Sequence, residues 1–359
     1  MPDSPDTGVP DVRETVLDAA GVPLSALVAE PAERPPRAVL VAFHGGGMSA
    51  GYFDSRARPG LSLLELGARL GYTVLAVDRP GYGLSAPHLP EGQRVADQAE
   101  TVHTALAGYA AAHDTGAGFF VVAHSNGGKL ALALAARSAG GDGPIGLDVS
   151  GLGCSLAVEP HRIPGPGGHG DWRRHWGALR LYPPDAFRLG GGLVRPVPAL
   201  EAREGPLWPR MYPRIASRVT VPVRFTFAEQ EQWWRCDEEA LAALRAPLTA
   251  APRVRVDFQP DAGHNIGLGW AARTYHLRVL GFLEECLLAR DAAPAGRPRP
   301  ATARGTGPGT GPGTGHGTES GTGPGTEKSP STGEEERDVP ERRGGGPDRA
   351  EAPAARLTR

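Results

Sequence analysis

Phe119-Phe120-Val121-Val122-Ala123-His124-Ser125-Asn126-Gly127-Gly128 is the run that decides the fold. An aromatic and β-branched stretch gives way, across one serine set among small residues, to the apolar segment that begins at Lys129. A short continuous apolar run reads as a strand covered on both faces, and Lys129 to Ser138 reads as a helix, buried because Lys129 to Ala136 is apolar nearly all round. A sharp strand-to-helix turn forces its central residue into a strained backbone conformation and tolerates only small flanking residues, which Ala123 and Gly127 supply. Such a turn holds the Ser125 hydroxyl clear of the sheet as a nucleophile. The first amides of the following helix, Asn126 foremost, are left unpaired and able to meet an anion.

Working outward, Ala38 to Phe43 and Thr73 to Val77 read as further buried strands, with weaker strand patterns at Ile145 to Val149, Val223 to Phe227 and Val254 to Phe258. Helical patterns lie between them at Ser62 to Leu70, Arg94 to Ala112, Asp237 to Leu244 and Ala271 to Leu288. This alternation predicts an α/β fold with a mostly parallel central sheet flanked by helices. Ser155 to Val219 interrupts it with Gly, Pro, Trp, Arg and His and no strong period, which predicts a cap insertion over the active face. Its Trp172, Trp176, Trp208, Arg173, Arg174, His161, His169 and His175 suit either an acyl chain with an anionic head or a packed lid. His169, Asp171 and His175 lack metal-binding helical spacing, so no metal and no cofactor are expected.

The 359 residues carry a formal net charge of −2, which favours no nucleic-acid partner. Residues 1–290 suffice for one large domain, whereas 291–359 repeat Gly, Thr and Pro with balanced charge and almost no large apolar residue. That composition predicts a disordered tail. Cys154, Cys236 and Cys286 are odd in number and widely spaced, against a disulfide framework. With no signal-peptide pattern at Met1 to Val12 and no apolar run near the roughly 20 residues of a membrane span, a cytoplasmic protein is expected. The oligomeric state has no signature here.

Four segments in this order resemble the α/β-hydrolase superfamily, in its serine-nucleophile branch of esterases, lipases, thioesterases and peptidases, over Val16 to Arg290. They are Phe43-His44-Gly45-Gly46-Gly47, Val77-Asp78-Arg79-Pro80-Gly81-Tyr82-Gly83-Leu84-Ser85, the turn at Ser125, and Ala262-Gly263-His264. The resemblance implies a serine, acid, histidine order. Ser125 would be the nucleophile and His264 the base. Laying the family's G-x-x-D over Ala228-Glu229-Gln230-Glu231 puts Glu231 in the place of the acid, with Glu229, Asp237 and Glu159 as alternatives. The His44-Gly45-Gly46-Gly47 loop resembles one that supplies oxyanion donors, which implicates the Gly46 and Gly47 amides beside that of Asn126. Asp78 and Ser85 read as loop chemistry, and His44 and His124 as structural neighbours.

The implied activity is cleavage of a carboxylic ester or thioester of a small-molecule acyl substrate through an acyl-enzyme. Acyl transfer or carbon–carbon bond hydrolysis on the same three groups remains open, as does a non-catalytic binding protein. Fold alone does not separate them.

Overall fold

The computed structural model describes residues 10–137, 143–168 and 172–292. The strands are β1 (Val12–Ala19), β2 (Val22–Ala29), β3 (Val39–Phe43), β4 (Thr73–Val77), β5 (Phe119–His124), β6 (Leu147–Ser150), β7 (Val223–Gln230) and β8 (Val254–Gly263). They form one sheet in the order β1-β2-β4-β3-β5-β6-β7-β8. From β4 through β8 every neighbour is parallel, while β1, β2 and β4 run antiparallel. The expected α/β architecture is present.

No strand is expected from the sequence before Ala38, and here the structure corrects it. β1 and β2 form a hairpin closed by Ala20 and Gly21, both at positive φ (53° and 92°), the geometry of a tight primed turn. Charged residues interrupt the apolar pattern of β1 because it is the sheet's edge, exposed along much of its length.

Helices α1 (Leu63–Arg69), α2 (Val95–Ala112) and α3 (Asn126–Arg137) follow the expected positions, although α3 starts at Asn126, immediately after the serine. The β6–β7 connection is not an irregular loop. It contains α4 (Trp172–Trp176), α5 (Pro184–Gly190), α6 (Ala199–Glu204) and α7 (Trp208–Ala216), each too short for its period to show in sequence. The order ends with α8 (Glu238–Arg245) and α9 (Ala272–Asp291).

Strand side chains alternate between two apolar layers. Val39, Val41, Phe43 and Val121 join α2 and α3 on one face, whereas Leu40, Ala42, Phe120 and Val122 join α1 and α9 on the other. Coverage on both faces explains the continuous apolar runs. The described residues fall within the compact unit Met1–Arg297. The tail expectation from residue 293 onward, and His169 and Asp171, lie outside the described residues. No helix among those described is long and apolar enough to cross a membrane.

Candidate active site

Ser125 stands between the end of β5 and the start of α3 with φ at +52°, a strained value for a residue with a side chain. Two backbone hydrogen bonds hold it there. Its N–H donates to Ser150 O at 2.8 Å, and Gly128 N–H donates to its carbonyl at 2.8 Å. Gly127 is required by contact, because a Cβ there would lie 2.2 Å from the Phe43 carbonyl oxygen. The helix can pass under the loop after β3 only without that atom.

His264 follows the last residue of β8, and Glu231 follows the last residue of β7, so paired strands carry them together. His264 Nδ1–H donates to the Glu231 carboxylate, 2.9 Å from Oε2 and 3.0 Å from Oε1. Oε1 also accepts the N–H groups of Gln232 at 3.1 Å and Trp233 at 3.0 Å. Both side chains are only 2% exposed. This arrangement fixes the imidazole's orientation and places the proton on Nδ1. Nε2 is left for a cavity of about 60 Å³ that Ser125, Gly46, Asn126, Lys129 and Glu201 also line. Serine and histidine share that cavity without a direct hydrogen bond between them, an arrangement common before substrate tightens such a site.

The other carboxylates lie elsewhere. Glu229 is exposed and accepts the Asp261 N–H at 2.7 Å, Asp237 caps α8 by accepting the Ala240 N–H at 3.0 Å, and Glu159 is exposed. Residues 229 and 231 differ because Glu231 lies past the strand, where the chain turns back and Glu231 N–H bonds Ala228 O at 3.2 Å.

The two glycines of the oxyanion expectation separate. Gly46 lines the cavity beside Asn126, whereas Gly47, at φ +69°, donates its N–H to the Tyr82 hydroxyl at 3.1 Å. Gly47 therefore has no amide free for an anion, which corrects that part of the expectation. Gly46 and Asn126 both line the cavity that Ser125 shares.

Neither His44 nor His124 is placed as a base. His44 Nδ1–H donates to Gly45 O at 2.8 Å while Nε2 accepts the Arg79 N–H at 3.0 Å, and burial, with the Arg79 charge beside it, pushes its pKa down to about 4. His124 stacks on Tyr52 with ring centroids 4.6 Å apart, and burial pushes its pKa well down. Asp78 accepts the Ala50 N–H and the Ser25 hydroxyl, both at 2.7 Å, tying the loop after β4 to two neighbours. The Ser85 hydroxyl donates to Tyr82 O at 2.7 Å within that loop.

Glu201 and Arg79 are functional-site neighbours that the sequence does not single out. Arg79 Nη1 and Nη2 donate to Glu201 Oε2 and Oε1 at 2.7 and 2.9 Å; Tyr82 Oη and Asn126 Nδ2 add bonds to Oε1 at 3.0 and 2.8 Å. Burial opposes the Glu201 charge, but the Arg79 guanidinium overrides it and holds the carboxyl at about 2. The insertion is thereby fastened to the loops after β4 and β5. It is also tied to the histidine loop, where Asn265 N–H donates to His175 O at 3.0 Å. Of the aromatic and cationic residues expected in the cap, His175 reaches the cavity wall and Trp208 a smaller recess beyond it.

Comparisons with solved structures return the same fold at low sequence identity. A monoglyceride lipase of Saccharomyces cerevisiae is 15% identical with a TM-score of 0.56, over 79% of this chain and 97% of that one. A bacterial membrane phospholipase A is 18% identical with a TM-score of 0.54, over 77% and 87%. The proline iminopeptidase of Mycobacterium smegmatis is 18% identical with a TM-score of 0.52, over 78% and 100%. No curated protein matches the sequence. Residues 38–275, from the first parallel strand to the start of α9, match the model of the alpha/beta hydrolase family, and the chain belongs to that family.

Proposed function

We propose that this chain is a serine hydrolase that cleaves a carboxylic ester or thioester of a small molecule through an acyl-enzyme. The observation that carries the reading is the Glu231–His264 pair, joined at 2.9 Å, beside the same cavity as the strained Ser125. Ser125 Oγ attacks the carbonyl carbon as its proton passes to His264 Nε2. Glu231 holds the imidazole and stabilises the imidazolium. The carbonyl oxygen becomes an anion facing the Gly46 and Asn126 amides, whose fixed position stabilises it without reorganisation. When the carbon–oxygen or carbon–sulfur bond breaks, the imidazolium returns its proton to the leaving group. Water then repeats the sequence on the acyl-serine and releases the acid.

Three free thiols, Cys154, Cys236 and Cys286, fit a reducing, cytoplasmic setting. The test is covalent labelling with a fluorophosphonate, which traps an activated serine. Wild type is expected to label and Ser125→Ala to remain unlabelled. Undiminished labelling of Ser125→Ala overturns the assignment.

A further inference from the structure

We propose that Lys129 is a specificity-determining residue for the acyl cleavage read above, pairing with a carboxylate that the substrate carries about one helical turn from its scissile carbonyl. The inference rests on that reading and names the class of substrate it would take. Lys129 lies in the first turn of α3, which begins at Asn126 immediately after Ser125, a turn being about 5 Å of rise. It lines both the cavity holding Ser125, Asn126 and Gly46 and the recess behind it.

The lysine's surroundings leave its charge without a close counter-ion. Its ammonium lies 5.7 Å from the centre of the Trp208 ring, and no ion pair reaches it among the described residues. Glu201, the carboxylate facing it across the cavity, is already filled by Arg79, Tyr82 and Asn126. Glu204, in the recess, accepts the Val95 N–H at 2.7 Å. Burial pushes Lys129 down to about 8 in spite of these two carboxylates, a sign of a cation short of solvation. A partly desolvated ammonium with no carboxylate partner gains more from an arriving carboxylate than one already paired. Of the described lysine and arginine side chains that line the cavity and the recess, Arg79 is bound to Glu201 and Lys129 has no ion pair.

The pH sign follows. Lys129 is charged below its pKa, so preference for an anionic substrate is present at neutral pH and lost as pH rises through about 8. The other groups facing it are Glu201 and Glu204 on α6, Arg79 after β4, and His175 and His264 across the cavity. A ratio of two substrates at one pH cancels the titration of the base.

The experiment compares kcat/KM for two pairs of esters of matched shape, by proton release. Monomethyl glutarate against methyl 5-methylhexanoate puts the carboxylate on the acyl side, and butyryl glycolate against isobutyl butyrate puts it on the alcohol side. In wild type the charged member of at least one pair is expected to be favoured tenfold or more. Lys129→Met lowers that ratio about tenfold, and Lys129→Arg retains it. An unchanged ratio in Lys129→Met, or preference for the neutral member in both pairs, overturns the role of Lys129 while leaving the hydrolase reading intact. Absence of turnover for all four esters in wild type overturns both.

Discussion

Two glutamates with buried side chains, Glu201 in the cavity wall and Glu231 behind His264, are held in opposite ways. Glu231 accepts from an imidazole and two backbone amides, whereas Glu201 accepts from a guanidinium, a phenol and a carboxamide. The first carboxylate faces a group that can become charged and so can stabilise a cation that appears during a reaction. The second is already neutralised by a permanent cation, so it fastens the insertion in place. Burial alone therefore says little about what a carboxylate does; its partners decide.

The comparison is most exposed to failure at Glu231. Replacing it with glutamine keeps the shape and removes the charge, and kcat for ester hydrolysis is expected to fall about 10⁴-fold with little change in Tm. A loss below tenfold would assign Glu231 to structure alone. Glu201→Ala tests the other side. It leaves the Arg79 guanidinium buried without its counter-ion and is expected to cost about 3–5 kcal/mol of stability, read by denaturant titration.

The same carboxylate predicts a pH dependence. The ordinary value is 4.5 and the folded protein holds it at about 2, so the unfolded chain binds the proton more tightly. The resulting stabilisation is complete above pH 4.5, declines as pH falls and is gone below about 2. Thermal melts across that range should show a steeper decline in wild type than in Glu201→Gln.

A smaller effect is expected at Gly46, beside Asn126 and Glu201. A Cβ at Gly46 would lie 2.6 Å from Asn126 Nδ2 and 3.3 Å from Glu201 Oε1, so Gly46→Ala pushes on the amide pair and on the fastening at once. A fall of about 10²-fold in kcat is expected, the size of one lost oxyanion donor. Glu229→Ala is the control. Its single backbone bond is exposed, and activity should stay within about threefold of wild type, as for most surface changes.

Much of this was legible in the chain. The strand from Phe119, the small residues around Ser125 and the alternation of strands and helices follow from local sterics and periodicity, which adjacent residues determine. The β1–β2 hairpin was harder to see because an edge strand has only part of its surface buried, so charged Arg13, Glu14 and Asp18 break the pattern. The helices of the insertion were hidden for a different reason. Lengths such as the five residues of α4 and the six of α6 give barely one or two turns in which a period could appear.

What the sequence determined by itself was the family of the fold and the turn that presents Ser125, because both arise from residues close together in the chain. Tertiary structure alone decided which glutamate faces His264, that the Gly47 amide is taken by Tyr82, and that Arg79 meets Glu201 across 122 positions. Hydrogen bonds and ion pairs act over a few ångströms, so groups distant in the chain acquire partners only after the sheet and insertion have folded.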